Sequence, residues 1–100
     1  MILMKIHING EKRVIALCDK HLLGKTLTDE KYHIDLKKHE EFYDGEPTNL
    51  AQIKEILNQD FSSINAIGSE SVDCLMGEGL VSRENIKMVS NTPLVHIYKI

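Results

Sequence analysis

The sequence predicts an α+β fold, a two-layer α/β sandwich in which a mixed sheet carries two helices on one face, in the order ββ-β-α-β-α-ββ. Three observations lead there. Apolar residues alternate at the start of the chain, where Ile2, Met4, Ile6 and Ile8 share one face of an extended segment. Two later stretches carry apolar residues at helical spacing, Leu50/Ile53/Ile56/Leu57 and Val72/Leu75/Met76. Turn residues divide the chain into short elements with no internal repeat, linker or low-complexity tract.

The first strand ends at Asn9-Gly10, a turn signal. A three-residue loop, Asn9-Gly10-Glu11, sets Ile6 opposite Val14, Met4 opposite Ala16 and Ile2 opposite Cys18, which keeps one face apolar. A third strand is expected over residues 32–36, with Tyr32, Ile34 and Leu36 inward and His33 and Asp35 outward. Thr48 is the expected N-cap of the first helix, which ends near Asn58. Residues 63–67 read as a buried strand broken by Gly68, and Ser69 is the expected cap of the second helix, closing at Gly77 or Gly79. A final hairpin pairs residues 86–90 with 94–98 around Asn91-Thr92-Pro93, because proline cannot donate to a ladder.

With 100 residues the chain has material for one core, so residues 1–100 are read as a single domain. Two cysteines, Cys18 and Cys74, are too few for a disulfide framework, no signal peptide opens the chain, and no apolar run is long enough to span a bilayer. These features place the protein in the cytosol, away from membranes. A net charge of −3 argues against strong non-specific nucleic-acid binding. The charge is uneven, however: residues 1–40 hold eight Lys and Arg against six acids, and residues 41–100 hold four against nine. Four of the five histidines also lie in the first forty residues. Either this is a mixed solvated surface or the N-terminal half carries a local anion-contacting face.

Few residue sets suggest chemistry. Gly24-Lys25-Thr26 looks like the tail of a phosphate-binding P-loop, but position 19 is Asp where the motif needs glycine, and the residues that follow read as extended rather than helical. Cys18 and His21 have a two-ligand spacing, yet a structural zinc site wants four ligands, so neither a metal nor another cofactor is expected. His33 beside Asp35 begins an acid/base pair without a nucleophile. At Ile67-Gly68-Ser69-Glu70-Ser71 a strand runs into a helix N-terminus, where Glu70 would repel a phosphate and capping outweighs ligand binding. Phe42-Tyr43-Asp44-Gly45-Glu46 places two of five aromatics in a polar loop. Their rings either dock back onto the sheet or present a contact surface to a partner.

Several pieces recur in a characteristic order: Lys5-Ile6-His7; Cys18-Asp19 followed by Leu22-Leu23-Gly24-Lys25-Thr26; the Phe42 to Glu46 loop; Gly68 with Ser71-Val72; and Gly79-Leu80-Val81. Together they resemble an archaeal family, domain of unknown function 424, over nearly the whole chain. The resemblance implies a two-layer α/β sandwich and an archaeal source, and brings no activity, cofactor or catalytic residue with it. Family members tend to end in a Pro-His pair, whereas here Leu94 follows Pro93 and the histidine falls at His96, so no role is carried over to it.

The lack of a catalytic set and the charge asymmetry favour a small non-catalytic binding module with a protein or RNA partner, accessory to translation or another RNA-linked process. The competing reading is a small-molecule binder or enzyme. The residues named for either are Asp19, Lys25, Thr26, Phe42, Tyr43, Gly45 and Glu46, expected to form one contiguous surface.

Overall fold

Strand β1 (Ile2–Asn9) turns into β2 (Lys12–Asp19) through Gly10-Glu11, in a computed structural model that describes residues 1–99. Gly10 takes φ +63° at the first central position, which suits a two-residue type II′ turn. The loop is thus one residue shorter than expected and the register shifts by one: Met4 faces Leu17, Ile6 faces Ile15, and Cys18 lies opposite Leu3 rather than Ile2. Residues 15–19 are all buried, so β2 is a central strand covered on both faces, and alternation could not define its register.

The sheet has six strands in the order β5-β1-β2-β6-β8-β7, where β5 is Glu46–Thr48, β6 Ser63–Ile67, β7 Lys87–Val89 and β8 Thr92–Tyr98. β2 and β6 run parallel and every other neighbouring pair is antiparallel, which gives the mixed sheet the sequence predicts. Pairing aligns side chains in rows across it. On one face run Ile6–Ile15–Ile64–Ile97 and Met4–Leu17–Ala66–Val95. Helices α2 (Leu50–Leu57) and α3 (Ser69–Gly77) cover that face through Ile53, Val72 and Leu75, closing the main core as expected.

On the opposite face a second apolar cluster joins Cys18, Ile67 and Val89 to Leu22, Leu27 and Leu36. Its cover is not a further strand of the main sheet. Residues expected as a third sheet strand form β4 (His33–Asp35), paired with β3 (Thr26–Thr28) in a separate two-stranded ladder. Ile34 and Leu36 point inward as expected, but Tyr32 is exposed. Asp29 and Asp35 each accept two backbone N–H bonds from the residues just after them, which holds both carboxyls below their ordinary range.

Three further local expectations are corrected. Asn49, not Thr48, caps α2: its carboxamide accepts from the Gln52 N–H while Gln52 reaches back to the Asn49 N–H. The last hairpin turns at Ser90-Asn91, both at positive φ as a type I′ turn requires, which puts Pro93 inside β8. The expected Ser69 cap gives way to Gly68, whose missing cap comes from elsewhere in the chain. Two elements were not expected, the one-turn helix α1 (Glu40–Tyr43) and the edge strand β5. Among the described residues no helix is long and apolar enough to cross a membrane.

The thiols differ in accessibility. Cys18 is fully buried and pushed up to about 12 by that burial, whereas Cys74 is partly exposed on α3. Native protein should therefore take up one equivalent of a thiol reagent at Cys74, with Cys18 reacting after unfolding. Mapping the labelled peptide checks this, and comparable rates at the two positions would contradict the packing of β2.

Candidate functional site

Asp19 ends β2 beside the point where parallel β6 passes into α3, the position at which open α/β sheets usually place ligands. The carboxylate is fully buried. It accepts from the Glu70 N–H at 3.0 Å, the Ser71 N–H at 2.8 Å and the Ser71 hydroxyl at 2.8 Å. The anion site at the N-terminus of α3 is thus filled from within by a carboxylate about fifty residues away in sequence. Asp19 is therefore a long-range helix cap.

His21 and Glu70 lie beside it, with ligand atoms of all three residues within 4.8 Å of one another. Both carboxylates are already engaged, Asp19 with the positive end of α3 and Glu70 with the Met1 ammonium at 3.0 Å. Cys18 does not join His21. Its thiol points into the second apolar cluster and donates to the Asp19 carbonyl.

Lys25 and Thr26 are exposed where β3 begins, after a turn in which Gly24 takes φ +80°. A strand follows the lysine, so the helix of a P-loop is missing, as the sequence predicts. Tyr43 packs against the second cluster, and burial pushes its hydroxyl up to about 12. Phe42 stacks face to face on His7, with ring centroids 4.5 Å apart and planes within 9°. His7 Nε2 bonds the Phe42 carbonyl at 2.9 Å and Lys5 Nζ bonds the Glu41 carbonyl, so two basic side chains of β1 fasten the C-terminal end of α1. Gly45 passes over β1 so closely that a Cβ would sit 2.2 Å from the Met4 carbonyl oxygen. Glu46 faces Met4 and lines a groove with Gln52, Glu55 and Ile56 on the helical side.

The seven residues do not gather around one cavity. Phe42 and Tyr43 come together, whereas Asp19 is internal and Glu46 belongs to the opposite side of the sheet. What assembles instead is the part of the second face left open by α1 and the β3–β4 ladder. Two rows cross it, His7–Val14–Ser63–Tyr98 and Lys5–Ala16–Asn65–His96. His96 and Tyr98 pack ring on ring at 4.1 Å, and both are exposed. Lys5, His7, Lys38 and His39 line one groove, where Glu41 contributes an acid. By contrast the helical side carries Glu46 and Glu55 in one groove and Glu70, Asp73 and Glu78 in another with Lys54, which pairs with Glu78 at 3.6 Å. The asymmetry along the sequence has become an asymmetry between faces.

His7 and Tyr98 escape a sequence reading because their alignment depends on pairing between β2, β6 and β8. The readable signal is that His96 and Tyr98 share a parity in the last strand.

The family profile described as "Protein of unknown function (DUF424)" matches residues 6–100. The chain belongs to the DUF424 family. Its fold is similar to that in the crystal structure of an uncharacterized conserved protein from Methanopyrus kandleri, with a TM-score of 0.79 and 27% identity over 97% of this chain and 90% of that one. No curated protein matches. The DUF424 resemblance drawn from scattered residues has a structural basis: Asp19, Gly68 and Ser71 meet at a single junction.

Proposed function

We propose that this DUF424 chain is a non-catalytic, cytosolic binding module, acting as one unit, that holds single-stranded RNA on the open half of its sheet. Its place would be in translation or another RNA-linked process. The observation that carries the reading is the alignment of two ring pairs on one face, His7/Phe42 at β1 and His96/Tyr98 at β8. Three strand spacings separate them, roughly 14 Å. Rings that are exposed at β8 and half-buried at β1, with basic side chains at their border, suit a strand whose bases stack while its phosphates meet Lys5, Lys38 and His39. An overall charge of −3 limits the interaction to that face and keeps non-specific duplex binding weak. A catalytic reading has less support, since Asp19 is committed to α3 and Lys25 and Thr26 stand apart from it in role.

Fluorescence anisotropy with a labelled single-stranded RNA tests the proposal. Tyr98→Ala removes a ring that is 72% exposed and should not disturb folding. It should weaken binding roughly tenfold, the scale of one base–aromatic stack. Glu55→Ala on the helical side should leave affinity unchanged. Equal affinity of the Tyr98→Ala and parent proteins, or no binding at low salt, would rule the surface out.

A further inference from the structure

Between α1 and the sheet lies a cavity of about 320 Å³ lined by Ile34, Leu36, His39, Phe42, Tyr43 and Asn65. Its walls are apolar and aromatic, and its polar groups are few, the arrangement of a small-molecule pocket near the lower size limit of such sites. Asn65 is half-buried in the row Lys5–Ala16–Asn65–His96, beside an alanine that leaves room on the sheet surface. Among the described residues its carboxamide takes no part in any side-chain hydrogen bond, and neither does the Tyr43 hydroxyl. Both groups are thus free for a ligand in a pocket whose other walls, apart from the His39 imidazole, are hydrophobic. The Tyr43 hydroxyl can donate or accept.

We infer that this cavity receives one nucleobase, that the base is adenine, and that Asn65 reads its edge. A carboxamide offers an acceptor beside a donor, which matches the N6 amino group and N7 on the Hoogsteen edge of adenine, an edge on which cytosine offers its amino group alone and uracil its O4 alone. The Phe42 ring, held from behind by His7, supplies a flat aromatic face, and the half-buried Ile34 side chain adds apolar cover. The inference rests on the strand-binding reading but adds a base preference which stacking alone does not produce.

The test compares short oligoadenylate, oligocytidylate and oligouridylate by anisotropy, with the Asn65→Asp and Asn65→Ser variants, each checked for a parental melting temperature. In the parent, oligoadenylate should bind about tenfold more tightly than oligocytidylate. Asn65→Ser should bring that ratio near one. Asn65→Asp should reverse it, since a carboxylate accepts from the cytosine amino group and offers adenine no donor. The ratio is read rather than the absolute affinity, because added negative charge weakens every strand. Adenosine monophosphate should compete only at concentrations about a hundredfold higher than oligoadenylate, whose further contacts raise its affinity. Competition at equal concentrations would overturn the strand as the source of the base. If all three strands bind equally in a Tyr98-dependent manner, the base pocket is wrong and the strand-binding face stands; if none binds, that face falls first.

Discussion

Asp19→Ala should lower the unfolding free energy by about 3 kcal/mol, a large fraction of the stability of a domain this size. Three hydrogen bonds to a buried carboxylate are lost, and the N–H groups of Glu70 and Ser71 are left without an acceptor at the positive end of α3. The effect reaches beyond the helix. Asp19 joins the end of β2 to the start of α3, so its loss loosens the parallel β2–β6 pair that centres the sheet. Asp19→Asn keeps one acceptor oxygen for Ser71 and should cost less than half as much. Urea denaturation measures both, with a fall in melting temperature of roughly 15 °C expected for the alanine variant. A loss below about 1 kcal/mol would mean that solvent replaces the cap and that Asp19 is held for another purpose.

The same residue marks how far the sequence could be read. The apolar stripes of α2 and α3 have helical spacing, so both helices are legible to within a residue or two, whereas a cap is legible only when it adjoins its helix. Asp19 precedes the helix it caps by about fifty residues, so local rules assigned that role to Ser69 and left Asp19 as a candidate for binding. A similar limit applies to the first hairpin. Residues 14–18 are apolar throughout because β2 is buried on both faces, and an unbroken apolar run allows more than one register. Elements of three or four residues, such as Glu46-Pro47-Thr48 and Glu40–Tyr43, have no period to detect; they are held by β1, through pairing to Met4 and through Lys5 and His7. The docking of Phe42 onto His7 answers one question left open by the sequence: the ring is laid against the sheet, and it takes part in a surface made by strands distant in sequence.

Gly68→Ala should cost about 4 kcal/mol. Gly68 has φ +108° and ψ 153°, backbone that residues with a Cβ rarely adopt. A Cβ there would also lie 2.2 Å from Asp19 Cγ and 2.4 Å from Oδ2. Asp19 cannot swing away without abandoning its bonds to Glu70 and Ser71, so the added methyl group strains the junction and breaks the cap together. Because the two costs share a cause, they should not add. Once Asp19 is replaced by glycine, Gly68→Ala meets no side chain at that position and should cost only the backbone term, about 2 kcal/mol. A double-mutant cycle of Asp19→Gly and Gly68→Ala, measured by denaturant unfolding, therefore has a defined sign: the pair should lose less stability than the sum of the single variants. Additive losses would show that the close approach of Asp19 to Gly68 is not what requires glycine, and that the strand-to-helix turn alone sets the identity of residue 68.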